Sequence, residues 1–269
     1  MGILLLVISS ILLFLSVASF IPQYSRILSR GDCSRISPYY VLFNFIVATE
    51  QLTISLHFII VNDAIMDNIV HTPPVAGDWL NLAQFSTVWV CQLILFGLYL
   101  RYSSLTRTNK YWMIVVYIAY FLISGVPVII ESTLIPPSSG SSFNESWWYS
   151  VVFFYIHSVF INPVITALAI ASLFPQRKEL LLYQEIGALS PTGLVAQTTI
   201  FTIVAFLWIV RIPLPWGVRF TAWYQVVGWA AVDNLIFALV QGILCWESRK
   251  LKSVGHTTDD ESAPLLPSE

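Results

Sequence analysis

Charge is scarce in this chain. Asp, Glu, Lys and Arg together make up 10% of its 269 residues, where a soluble globular chain carries about 25%. Too little charge is available to coat a water-facing surface, which excludes a soluble enzyme as the default. The same deficit excludes a disordered chain, a coiled coil and a collagen. A formal net charge of −2 supplies no basic field for nucleic acid. Cysteine is nearly absent too: Cys33, Cys91 and Cys245 cannot all pair and have no metal-ligand spacing. Neither a disulfide framework nor a metal or cofactor site is expected. Apolar residues are abundant, at 57% with a mean hydropathy of +0.74. This is the composition of an all-α protein that crosses a membrane several times.

A helix needs about 20 apolar residues to cross roughly 30 Å of hydrocarbon. Seven stretches qualify: 3–21, 39–61, 79–100, 111–131, 148–173, 192–211 and 222–246. Ser37-Pro38, Pro73-Pro74, Pro136-Pro137, Ser190-Pro191 and Pro213-Leu214-Pro215 punctuate the gaps. A cleaved signal is not expected, because no Lys or Arg precedes the first apolar run. Eleven of the thirteen basic residues fall on one side of the predicted membrane, leaving only Arg211 and Arg219 on the other. The positive-inside rule then puts the carboxyl terminus in the cytosol and the amino terminus in the lumen or outside. Asn144-Glu145-Ser146 is a glycosylation sequon on the lumenal side, so Asn144 is a candidate acceptor.

The chain repeats itself. Phe20-Ile21-Pro22-Gln23 closes the first span and Leu173-Phe174-Pro175-Gln176 the fifth, 153 residues later. Ser37-Pro38 and Ser190-Pro191 follow at the same offset. An odd helix between two three-helix units lets them lie parallel. The expected division is a first repeat over 1–105, a linker helix over 106–135, a second repeat over 136–248 and a disordered tail over 249–269. With these motifs the sequence resembles the PQ-loop family, which includes the lysosomal cystine transporter and vacuolar basic amino acid transporters. It is similar, more distantly, to the SWEET sugar transporters. The resemblance implies a 3+1+3 bundle whose solute site lies near the midplane between the halves. Pro22 with Gln23 and Pro175 with Gln176 are then candidate hinges, since proline removes a backbone donor and bends a helix. The alternative is that each proline simply ends its span.

Ionisable groups in spans cost about 2.5–3.5 kcal/mol each on insertion scales, so each is a functional candidate. Asp233 lies about 20 Å from Trp246 along its helix, near the membrane centre. It is expected either to take protons or bind solute, or to bond another helix. Asp233-Asn234 also resembles the seventh helix of cystine and cationic amino acid transporters, where an aspartate takes part in proton coupling. Depth matching pairs Asp233 with Gln84 and leaves Asn81 at the lumenal mouth. Asn44 and Gln197, each 22 residues after its repeat's proline, form an amide pair. The resemblance to the cystine transporter implies an asparagine and a proton-linked aspartate there; Asn44 matches and Gln197 does not. Glu50 and His57, seven apart on one helix face, are candidates for proton coupling or for packing. Asn162 precedes Pro163 inside the fifth span, where a broken helix tends to line a cavity. Solute contacts are therefore expected from Asn44, Gln197, Gln84, Asn234 and Asn162.

No paired carboxylates, Ser-His set or metal constellation appears in the spans, so catalysis is not expected. The expected function is proton-linked export of a small, amino-acid-like solute from an acidic vacuole or lysosome. The expected partners are the bilayer, the solute and protons. A facilitative SWEET-type sugar carrier and a sorting receptor on the same fold are the alternatives. Glu261 with Leu265-Leu266 fits an acidic dileucine signal, which implies clathrin-adaptor-type sorting machinery as a further partner.

Overall fold

The computed structural model describes residues 3–61, 70–71, 73–134, 145–211 and 219–261. The described residues form helices, with no strand among them. Seven helices are long and apolar enough to cross a membrane: α1 (Ile3–Arg30), α2 (Pro38–Ile60), α3 (Ala76–Tyr102), α4 (Arg107–Glu131), α5 (Trp148–Tyr183), α6 (Pro191–Arg211) and α7 (Phe220–Leu251). Asn144 and the Leu265-Leu266 pair lie outside the described residues.

Local chemistry sets the ends. Gly31 (φ +67°) closes α1 in the left-handed conformation, its N–H bonding to the Ile27 carbonyl at 2.9 Å. Gln184 (φ +53°) closes α5 the same way on the Leu180 carbonyl, and the two caps are 153 residues apart. The Ser190 hydroxyl accepts the Gly193 N–H at 3.2 Å and Pro191 takes the first helical position of α6. Within the spans, hydroxyls such as Ser16 and Thr49 bond to the carbonyl four residues back, at 2.8 Å each. That satisfies them without water.

Pro22 stands inside continuous α1 and does not end it. Pro175 likewise stands within a helical stretch that runs to Tyr183 after a single-residue turn at Ser172. Pro22 thus does not end its helix, whereas the ladder breaks three residues before Pro175. Two π-helical turns, His157–Ile161 in α5 and Tyr224–Gly228 in α7, add one residue to the helical register. The first lies directly before Pro163, whose missing N–H and ring conflict with a regular ladder. At the carboxyl end the last helix runs to Glu261, beyond the point where an unstructured tail was expected. Arg249, Lys250, Leu251 and Lys252 are good helix formers, and no proline intervenes before Pro264.

Packing repeats as the sequence does. The third helix of each unit lies against both others: α3 against α1 and α2, and α7 against α5 and α6. The units meet through α1 with α6 and α2 with α5, while α4 packs on α2. Accordingly α2 is the most enclosed span and α4 the most exposed, followed by α1 and α5 alike. Outward-facing Phe14, Ile123 and Val210 form part of an apolar girdle. Trp79, Trp112 and Trp148 are exposed near helix ends, as interface anchors are, whereas Trp223 is buried.

Candidate functional site

At the end bearing most of the basic residues, the two units hold each other by reciprocal side-chain clamps. Gln23 Nε2 donates to the Ala188 carbonyl at 2.9 Å, and the Ser190 N–H donates to Gln23 Oε1 at 2.8 Å. Gln176 does the same to the other loop: Nε2 to the Arg35 carbonyl at 2.8 Å and Oε1 from the Ser37 N–H at 2.9 Å. Every group in one clamp is 153 residues from its counterpart in the other. Both amides are buried, so all four bonds form away from water. Arg26 adds two bonds to the Gly187 carbonyl, and Arg35 pairs with Glu185 at 3.3 Å. Gly187 (φ +56°) is required here: a Cβ would lie 2.5 Å from the Ser34 carbonyl oxygen.

Two cavities follow along the boundary between the units. One is lined by Gln23, Tyr40, Gln92 and Gln197 among apolar neighbours. The next is lined by Asn44, Gln51, Gln92, Asp233, Asn234 and Phe237. Gln92 and Phe237 border both. Asp233 is 1% exposed. Its Oδ1 accepts from Thr166 at 2.5 Å, and Thr166 in turn meets the Tyr224 hydroxyl at 2.6 Å. Among the described residues Oδ2 has no hydrogen-bond partner, and Gln51 lines the same cavity. A buried acceptor left open costs roughly 1–3 kcal/mol, which a polar occupant would offset.

At the far end a third cavity is bordered by Asp78, Asn81, Phe85, Trp208 and Trp229. Arg211 of α6 bridges the units there, donating to Asn81 Oδ1 at 2.7 Å and to the Ser9 hydroxyl. Its guanidinium also lies over Trp208. Between this cavity and the central one, Phe85 stacks on Trp208 and packs on Trp229.

The structure thus gathers Asn44, Asn234 and Asp233 at one cavity and puts Gln197 at the adjoining one. Asn44 and Asn234 each spend the amide nitrogen on the carbonyl four residues back. Gln84, expected opposite Asp233, does not line that cavity; it is buried with both polar atoms unbonded among the described residues. Gln51 and Gln92 take the place foreseen for it. Asn162 is 1% exposed and both its polar atoms are unbonded as well. Glu50 and His57 share a face of α2, but their partners lie on other helices. Glu50 meets His157 at 2.5 Å, and His57 meets Glu131 at 3.0 Å. His157 and Glu131 stand out from the sequence only as isolated polar residues in apolar runs; their partners become visible once helices are docked. Glu261 is the last residue of the last helix.

The family model of the PQ loop repeat matches residues 4–52, which hold α1, the Pro22-Gln23 pair and over half of α2. No curated protein and no solved structure matches the chain. The matched repeat and the seven apolar helices together fit a membrane transporter or a related protein.

Proposed function

We propose that the chain moves a small polar, amino-acid-like solute together with protons by alternating access, out of an acidic vacuole or lysosome. The observation that carries this is Asp233: a carboxylate 1% exposed, one oxygen held by Thr166 and the other without a partner among the described residues, beside a cavity rimmed by amides between the two units. An acid in such a place gains by protonation or by facing a cationic group. The clamps of Gln23 and Gln176 close the basic end, which the positive-inside rule assigns to the cytosol. Opening them, with bending at Pro22 and Pro175, would expose the cavity on that side. A dileucine signal in the tail, read by adaptor-type sorting machinery, fits the organellar address.

The test is uptake into proteoliposomes from a panel of amino acids and sugars, with and without a pH gradient. Gradient-driven accumulation of an amino acid, abolished in Asp233→Asn while solute exchange persists, is the expected result. The amide keeps the shape and cannot release a proton. Accumulation unchanged in that variant overturns the proton assignment. The amide-rich linings, with Asn44, Gln51, Gln92, Gln197 and Asn234, favour a second reading as a facilitative sugar carrier. Gradient-independent uptake of a sugar would establish that instead.

A further inference from the structure

Four ionisable residues lie beside the solute cavities without lining them. Glu50 and His57 of α2, Glu131 of α4 and His157 of α5 are each 0–4% exposed. They form two stations. In one, His57 Nδ1 is 3.0 Å from Glu131 Oε2, and the Ser150 hydroxyl donates to Glu131 Oε1. In the other, His157 Nδ1 is 2.5 Å from Glu50 Oε1, and Tyr120 and Ser124 both donate to Glu50 Oε2 at 2.5 Å. A ring nitrogen that close to a carboxylate oxygen requires a proton between them. The shared hydrogen can sit on the ring or on the carboxyl, so each station is a place where a proton can pass between the two groups.

The stations are linked. Phe153 stacks on His157 with ring centroids 3.9 Å apart and packs on His57 at 4.6 Å, so the two imidazoles flank one aromatic ring. Glu50 and His57 are about 10 Å apart along α2. Beyond Glu50, its chain neighbour Gln51 lines the same cavity as Asp233. Asp233 continues to Thr166 and Tyr224. Among the described residues, the helices around the stations bring no Lys or Arg to them. α2 has no Lys or Arg, and those of α4 (Arg107, Lys110) and α5 (Arg177, Lys178) lie at the basic end. Asp78 of α3 is engaged by His71 and the Val75 N–H. A purely structural tie between α2 and α4 needs no such groups, since hydroxyls and amides make it without the cost of burying four ionisable side chains.

We propose that protons reach Asp233 by this column, Glu131–His57 and then His157–Glu50, along a route separate from the solute path. Phe153 divides the two stations, so transfer between them occurs when that ring turns aside. Solute and proton then meet only at Asp233. This rests on Asp233 being the coupling site of the proposed transporter.

The column can be tested without a solute. The full chain is labelled with ¹⁵N-histidine, placed in lipid nanodiscs, and its imidazole nitrogens are followed by NMR from acid to mildly alkaline pH. The chain has four histidines, and His71→Asn and His256→Asn assign the two outside the column. The expected result is that His57 and His157 both change protonation across the range. Asp233→Asn should move the His157 titration by about one pH unit, a tenfold change in proton affinity. Glu131→Gln should move His57 by a similar amount. Rings that keep one protonation state throughout overturn the column, as does a His157 titration unmoved by Asp233→Asn. The wild-type and Asp233→Asn titrations decide the matter even where Glu131→Gln fails to fold. Because no solute is involved, failure to transport any compound would refute the transport function and leave this result standing.

Discussion

Gln176 shows what a single residue contributes at the basic end. It supplies the bonding needs of two backbone groups in the Arg35–Ser37 turn, where Arg35 itself has φ +66°. Each such bond is worth about 1 kcal/mol net, and an orphaned buried N–H costs roughly 1–3 kcal/mol. Gln176→Ala therefore loosens this turn, and nearby Cys33 reports the change. Cys33 is buried, and burial, aided by the Asp32 charge and opposed by Lys110, pushes its thiol up to about 12. At pH 7.5 that leaves fewer than about one molecule in ten thousand as thiolate, against about one in ten for a free cysteine. Maleimide labelling of Cys33 should accelerate at least tenfold in Gln176→Ala, and less in Gln23→Ala, which holds the opposite loop. Equal rates in wild type and Gln176→Ala would show that the clamp does not hold the turn shut. At this scale the sequence was legible where a residue stood out against its own helix: Asp233 and Glu50 are acids in apolar runs. Partners were not legible. His157 is 107 residues from Glu50, and its ring reaches that acid only because α5 docks on α2.

The helices were legible from hydropathy because each span is an apolar run bounded by turn residues, but hydropathy does not record hydrogen-bond register. Neither π-helical turn was foreseen. The one in α5 has a visible cause in Pro163, which in the sequence announced only a break. The one in α7 depends on Gly228, where a Cβ would sit 2.3 to 2.7 Å from ring atoms of buried Trp223. Trp223 cannot yield easily, since it belongs to the buried cluster with Trp208 and Trp229. Gly228→Ala should cost about 1–3 kcal/mol through overpacking, although alanine alone is the better helix former. Thermal unfolding in detergent should show a lower midpoint for Gly228→Ala. A raised midpoint would mean that helix propensity outweighs the clash and that the π turn is not held by this contact.

Taken whole, the molecule is tied across its two units at both ends. Gln23 and Gln176 tie the basic end, and Arg211 joins α6 to Ser9 of α1 and Asn81 of α3 at the other. The repeat was legible as the 153-residue offset of the Pro-Gln and Ser-Pro pairs. That offset did not reveal that each Gln binds the other unit's loop, because crossing between units is a property of the docked pair. The far end has no such symmetry: the position 153 residues before Arg211 is Phe58, so the tie there differs from the clamps and the two ends can have independent fates. Breaking one should bias the molecule toward opening at that end only. Spin labels at Leu4 and Val152 report the far end, and labels at Arg30 and Tyr183 report the basic end, all four sites being exposed. With Cys33, Cys91 and Cys245 replaced by alanine, Arg211→Ala should lengthen the distances between labels at 4 and 152 and leave those between 30 and 183 unchanged. Gln23→Ala with Gln176→Ala should do the reverse. Sites more than about 10 Å apart with no shared partner act additively, so all three substitutions together should broaden both distributions. Lengthening at both ends from Arg211→Ala alone would show instead that the two units move as one rigid body with a single latch, and alternating access between these ties would fail.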